Sequence, residues 1–357
     1  MQHPPFQKPV SSPLFRLVFQ VFALALSLAL LLAFPVALVA QDFQYSQFYA
    51  APLAHNPAFV GSAFRPRLFF SHRNQWTGSS SPFVGNIVSA DYYIKKYTCG
   101  LGVTLANEKA AGGANRNFSF AGQYAYHAKL SRKWAMNFGM QLGVVSRNVG
   151  FADLLFYDQI DTAGNIALPT KDGLSESSLS FSFADLGSGL LFYSPTAWVG
   201  LSVHHVNAPR QDLLGDLNRL DRKFTLQAGK KILLGLSRDT KFPDQLPSIT
   251  LAALLKSQGQ FRQLDLGTYL HLQPLVLGLW YRGLPFLGGS QGYFNQDALI
   301  ALVGLKQDNL SMGYSYDLNV SGLVSAYGGS HEITVSYAFD YKEPKRRKGR
   351  ALPCPSF

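Results

Sequence analysis

From about Arg67 to Tyr341 the chain repeats stretches of roughly ten residues in which every second residue is apolar and those between are small or polar. In Gly329 to Tyr341, Ile333, Val335, Tyr337, Phe339 and Tyr341 fall on one side of an extended chain; Glu332, Thr334, Ser336, Ala338 and Asp340 fall on the other. Leu101, Val103 and Leu105 oppose Gly100, Gly102, Thr104 and Ala106 in the same way, and Leu310, Met312, Tyr314, Tyr316 and Leu318 oppose Ser311, Gly313, Ser315 and Asp317. A strand of this period separates an oily face from a wet one. The expected fold is all-β: a transmembrane antiparallel β-barrel with its apolar side to lipid, its polar side to the lumen and a plug-like N-terminal segment.

Cut at clusters of Gly, Pro, Asn, Asp and Ser, the pattern predicts 14 strands, near 66–76, 82–93, 98–107, 114–127, 133–146, 185–193, 196–206, 222–234, 247–256, 260–272, 274–282, 297–307, 309–318 and 329–341. If the first strand starts in the periplasm, five of the six connections on that side are very short, 235–246 being the exception, and those on the other side include 147–184, 207–221, 283–296 and 319–328. Short turns inside and long loops outside are the habit of outer-membrane barrels. This assignment puts both chain ends in the periplasm. Charged residues make up only 15%, against the roughly 25% of a typical soluble domain. Mean hydropathy is nonetheless only +0.03, because the polar face dilutes the apolar one. A soluble β-sandwich also alternates, but it buries the apolar face in protein and leaves no aromatic-rich outer stripes on so many strands.

Residues 1–40 read as a secretory signal: Lys8 and Arg16 precede an apolar run from Leu17 to Val39, and Ala40 offers a small residue at the cut. Leu38 is a poor fit at the third position before it. Residues 41–65 then form a plug segment, 66–341 the barrel and 342–357 a basic periplasmic tail. Without the leader the chain has 30 basic against 21 acidic residues, or +9; residues 342–350 carry six basic residues against Glu343, so +5 of this sits in the tail. The barrel itself is close to balanced, at +4, so the basic excess is not spread over a folded face with stacking aromatics and does not point to nucleic acid. Cys99 falls on an apolar strand face and Cys354 in the tail, which predicts a lipid-facing side chain and a free tail thiol.

Tyr45-Ser46-Gln47-Phe48 and Asn56-Pro57-Ala58-Phe59-x-Gly61, followed by Arg73-Asn74-Gln75-Trp76, Ser89-Ala90-Asp91, Gly313-Tyr314-Ser315-Tyr316-Asp317 and Gly329-Ser330-His331-Glu332-Ile333, span the mature chain in order. In these elements the chain resembles the PorP/SprF family of type IX secretion outer-membrane proteins of Bacteroidota. His55 and the 147–184 loop are its least family-like parts. The resemblance implies a barrel without enzymatic activity or cofactor. Its partners would be the C-terminal domain of a secreted adhesin, which it helps to export or to anchor at the surface, periplasmic components of the type IX apparatus and outer-membrane lipid. The alternative is a FadL-like passive channel for small hydrophobic solutes.

The candidate site residues fall in two groups. Ser46, Gln47, Asn56, Pro57 and Gly61 carry the family motif of the plug, where Asn56-Pro57 sets a turn, since proline fixes its own φ and keeps the preceding residue out of the helix. Arg67, Arg73, Asn74, Gln75, Asp91, Asp265, Asp317, Glu332 and Asp340 are expected to form a polar network in a lumen lined with small and polar side chains. Buried charges of both signs must pair, and Arg73 with Asp91, on adjacent strands, is the first expected pair. Gly288-Gly289-Ser290-Gln291-Gly292 matches G-x-S-x-G, but a nucleophile elbow needs a helix after it and here a strand follows. His204 and His205, adjacent on a strand, are expected to point to opposite faces, and no His, Cys and carboxylate spacing fits a metal.

Overall fold

The computed structural model describes residues 42–47, 50–79, 81–151, 157–161, 178–211, 219–234, 246–288, 294–320, 328–340 and 354. The leader and, apart from Cys354, the basic tail lie outside these residues, as does most of the G-x-S-x-G segment. The alternating stretches form strands β1 (Arg67–Gln75), β2 (Phe83–Ile94), β3 (Cys99–Ala110), β4 (Asn115–Lys129), β5 (Ala135–Gly150), β6 (Ser178–Tyr193) and β7 (Ala197–His204). They continue with β8 (Lys223–Leu233), β9 (Ser248–Gln258), β10 (Phe261–Leu272), β11 (Leu275–Gly288), β12 (Phe294–Gln307), β13 (Leu310–Asn319) and β14 (Ser330–Ala338). Each strand is antiparallel to its neighbours, and β1 pairs with β14 to close a barrel of 14 strands. Closure leaves no strand edge, so every strand can satisfy its backbone groups without water, as lipid requires.

The faces follow the expected parity. On β3, Leu101, Val103 and Leu105 are exposed on the outside, while Gly102, Thr104 and Ala106 are buried inside. The largest boundary differences are β6, which begins seven residues before its expected start, and β11, which runs six residues past its expected end. The 147–184 stretch expected as a loop therefore lends both its ends to strands.

One sequence expectation needs correction: the lumen is not uniformly polar. Leu191, Tyr193, Trp198, Leu254, Tyr269, Trp280, Ile300 and Leu302 point inward and pack with Ala58 and Phe59 into one buried cluster. β12 displays the reason. Ala298, Ile300 and Leu302 are buried inside while Leu299, Val303 and Leu305 are exposed outside, so both faces are apolar and the alternation vanishes, as it does in any strand covered on both sides.

The filling comes from the N-terminal segment. After an extended stretch at 42–45, a short helix α1 (Pro52–His55) starts at a proline, which suits a first helical position because it needs no hydrogen bond there. Asn56 then caps a 3₁₀ turn, Pro57–Phe59, by accepting from the Ala58 amide at 2.9 Å. Gly61, at φ +73°, turns the chain toward β1 in a conformation that a side chain would strain. The cysteines also depart from expectation. Cys99 is buried at the start of β3 rather than facing lipid, and Cys354 packs against the cluster holding Phe59, its amide 3.4 Å from the Ser62 carbonyl.

Candidate functional site in the lumen

The barrel has two unlike ends. At one, β1 starts, β14 stops and the connections include 95–98, 194–196 and 308–309; the other, called here the loop end, carries 151–177, 205–222 and 320–329. The N-terminal segment runs between them along the inner wall. Asp42, at the loop end, meets His205 at 2.9 Å and Lys223 at 3.1 Å, and His205 also bonds Asp185 at 2.8 Å. Burial by itself raises the Asp42 carboxyl, but the Lys223 ammonium and His205 hold it well below the ordinary carboxylate range. Burial works to lower His205, and its two carboxylate hydrogen bonds outweigh that, carrying it up to about 9. His205 follows the last residue of β7 with φ +57°, and both it and His204 line the lumen. The expected opposite faces are therefore wrong, because the left-handed residue breaks the period of two just where the strand ends.

Farther along, Ser46 and Gln47 dock on an ionic chain. Lys256, Asp265, Arg282, Asp317, Arg73 and Glu332, from β9, β10, β11, β13, β1 and β14, link in that order at 3.5, 3.2, 3.1, 2.8 and 3.3 Å. Three cations alternate with three anions. Ser46 Oγ donates to Asp317 at 2.5 Å and accepts from Arg73 at 2.5 Å and Arg282 at 2.8 Å. The Ser46 and Gln47 amides donate to the two Glu332 oxygens at 2.6 and 3.2 Å. The Gln47 side chain donates to Ser315 Oγ and the Glu332 carbonyl and accepts from Thr334. Arg73 is 1% exposed, so these bonds stand in for water at its two terminal nitrogens, while its Nε is buried without a partner among the described residues.

The next turn hangs on backbone atoms. The Asn56 amide donates to the Leu190 and Leu201 carbonyls, both at 3.1 Å, from residues paired across β6 and β7. Room for it comes from Gly189: a Cβ there would stand 2.0 Å from Asn56 Oδ1. Gly139 likewise admits Ala58, since its Cβ would lie 2.2 Å from the Ala58 nitrogen. Ser202 donates to the His55 carbonyl at 2.6 Å, Gln123 to Leu53 at 3.0 Å, Asn137 to Ala58 at 3.0 Å, and His127 bonds the Val60 carbonyl at 2.8 Å. At the far end Asp91 accepts from the Gly61 amide at 2.6 Å and takes Arg67 in a two-pronged pair at 2.9 and 2.7 Å. Pro57 is buried within the 3₁₀ turn.

Of the residues singled out from sequence, Ser46, Gln47, Arg73, Asp265, Asp317 and Glu332 meet in the ionic chain, while Arg67, Asp91 and Gly61 meet at the opposite end. The expected Arg73–Asp91 pair does not form. In the antiparallel register of β1 with β2, Asp91 faces Arg67 and Arg73 faces Gly85, six residues away or roughly 20 Å along a strand. Asn74 belongs to the outward row with Leu68 and Phe70 and stands opposite His331, so it is not luminal. Gln75 keeps inward parity at the loop end of β1, half-buried, and Asp340 is exposed beyond the end of β14. Lys256 and Arg282 were missed. Their signal was a lone charge at an inward position of an otherwise apolar strand, Thr250 to Leu255 before one and Leu275 to Trp280 before the other.

A cavity of about 150 Å³ remains at the loop end, bounded by Tyr45 and Ala54 of the N-terminal segment and by Ile87, Glu108, Arg147 and Phe183 of the wall. Among the described residues no group of three or more His, Cys, Asp or Glu is placed to hold a metal.

Three solved structures are among those that the chain is similar to. A mutant of the monoaromatic hydrocarbon channel TodX is 10% identical with a TM-score of 0.44, over 82% of this chain and 94% of that one. An outer membrane protein of Acinetobacter baumannii is 8% identical at 0.41, over 78% and 100%. A FadL homologue of Pseudomonas aeruginosa is 10% identical at 0.39, over 80% and 93%. Likeness this low carries no functional inference. No curated protein matches the chain. The family model of the type IX secretion system membrane protein PorP/SprF matches residues 37–337, a match that covers the N-terminal segment and every strand but for the last residue of β14. The chain therefore belongs to the PorP/SprF family of type IX secretion system membrane proteins, an outer-membrane β-barrel of a secretion apparatus and not of an enzyme family.

Proposed function

We propose that this barrel is a docking component: it binds the C-terminal domain of a secreted surface protein at its loop end, for export or for anchoring outside the cell. The observation that carries the reading is the N-terminal segment, residues 42–62, whose hydrogen bonds reach β1, β2, β4 to β9, β11, β13 and β14. A lumen crossed by so many contacts is a plugged one, suited to holding a partner at its mouth rather than to conducting a chain. In this reading residues 41–65 are the plug, β1 begins and β14 ends on the periplasmic side, and Asp42 rests toward the outside. The basic tail is then free to meet periplasmic components of the apparatus.

Purification of the tagged protein in mild detergent from its native cell is expected to bring down one large secreted protein, identified by mass spectrometry. Recovery of the barrel alone, across several detergents and after crosslinking, would sink the docking reading. The plug is tested separately. Protease treatment in liposomes is expected to spare residues 42–62, and rapid cutting there would refute it.

A passive channel for small hydrophobic solutes is the second reading, favoured by an apolar cavity of about 60 Å³ beside Phe69, Tyr269, Val276 and Leu302. It predicts uptake of a small aromatic hydrocarbon into liposomes carrying the barrel. The docking reading predicts none.

A further inference from the structure

We propose that the loop-end cavity binds a free carboxylate, the C-terminal end of a polypeptide, on the open edge of Arg147. The inference rests on the docking reading above and names what the partner inserts. Arg147 projects inward from β5 and is 8% exposed. Its Nε donates to Asn117 Oδ1 at 2.8 Å and its Nη1 to Gln211 Oε1 at 2.9 Å, two neutral acceptors. Arg67, Arg73, Lys223, Lys256 and Arg282, the other inward cations named above, each have a carboxylate within 3.5 Å. Among the described residues Arg147 has none, and its Nη2 meets no acceptor there.

Two further donors lack acceptors beside it. The Gln211 amide nitrogen that neighbours Arg147 is buried without a partner, and so is the Tyr45 hydroxyl, whose residue lines the same cavity. A guanidinium edge flanked by spare donors is complementary to a planar carboxylate, which accepts two parallel N–H bonds and further donors on its remaining lone pairs. Glu108 lines the cavity as well. It suits a ligand that also brings N–H donors, and, with Asp42 and Asp185 nearby, disfavours a phosphate or sulfate of higher negative charge. Ile87, Phe183 and the Tyr45 ring provide an apolar wall for a last side chain.

A chain end has all three features: a carboxylate, an amide N–H and a side chain. The cavity's inner side is closed by Tyr45, Ala54 and His55 of the docked segment. A dead end of about 150 Å³ takes the tip of a polypeptide, whereas the middle of a loop would need an exit.

The probes are N-acetyl-leucine and its uncharged amide, N-acetyl-leucinamide, titrated into the purified full-length barrel in detergent and followed by saturation-transfer NMR. The acid is expected to bind at least ten-fold more tightly than the amide. Arg147→Gln is expected to remove that preference and Arg147→Lys to weaken it several-fold, while Glu108→Gln strengthens acid binding two- to three-fold. Equal binding of acid and amide, or acid binding unchanged in Arg147→Gln, overturns the proposal. Heat-modifiable mobility on gels reports folding of each variant; if Arg147→Gln does not fold, unchanged acid affinity in both Arg147→Lys and Glu108→Gln overturns it instead. Co-purification from native cells separates the two readings. A partner recovered equally by wild type and Arg147→Gln, with no acid binding, removes this site and keeps docking. Arg147-dependent acid binding with no co-purifying protein keeps the site and removes docking.

Discussion

The two sides of the lumen hold the same N-terminal segment by opposite means. Against β1, β13 and β14, Ser46 and Gln47 are held by charge, through Arg73, Asp317 and Glu332. Against the β6 to β12 side, Ala58 and Phe59 are held by contact with Tyr193, Trp198, Leu254 and Trp280. Charge pairing is specific but fragile, because loss of one partner strands the other in a dry site. Apolar packing is tolerant of conditions but demands volume, which is why glycines clear the wall where the segment crosses it.

The largest expected effect breaks the charged side. Arg73→Met leaves Asp317 and Glu332 facing each other with one cation fewer, at a cost of about 3–5 kcal/mol. Urea unfolding in detergent measures it, and residues 42–47 are expected to become protease-sensitive while 56–61 stay protected. A loss under about 1 kcal/mol would show that the ionic chain does not hold the segment. Next comes the apolar side. Phe59→Ala is expected to cost about 3 kcal/mol through lost burial and a cavity, with no change between low and high salt. A strong salt dependence there would erase the distinction between the two sides.

The latch at the loop end gives a pH effect of up to about 3 kcal/mol. The two carboxylates carry His205 from its ordinary 6.5 up to about 9 in the folded chain, so its contribution is complete below pH 6.5 and is lost as pH rises through 9. Thermal stability of the wild type, followed from pH 6 to 10, is expected to fall over that window, and His205→Asn to flatten the curve. A curve of the same shape in both proteins would mean the latch is not bound in solution. The smallest effect tests clearance. Gly139→Ala places a methyl group 2.2 Å from the Ala58 nitrogen and is expected to cost about 1–3 kcal/mol by overpacking. Gly122→Ala, whose added carbon meets nothing closer than 3.9 Å, serves as its control.

The charged side was partly legible in sequence and the apolar side was not. Arg73, Asp317 and Glu332 stood out as charges on the wet face of clean alternations. Lys256, the partner of Asp265, and Arg282, the partner of Asp265 and Asp317, are hidden because β9 and β11 have apolar residues on both faces, which removes the contrast that period two relies on. Asn74 was misplaced because a polar residue near a strand end is tolerated on either face. The Arg73–Asp91 pair failed because adjacency of strands is a coarser fact than register. Cys354 came as a surprise: nothing local to it indicates that it packs against the segment bearing Phe59.

Strand number, barrel class and the faces of the cleanly alternating strands were determined by the sequence alone, because each depends on residues two apart and on a lipid exterior that is the same for every strand. Which side chains meet inside was decided only by the closed tertiary structure. Closing the ring brings Ser46 to Glu332 across 286 positions of chain, and laying the N-terminal segment along the inner wall turns what would be a wet inner face into a second, drier core.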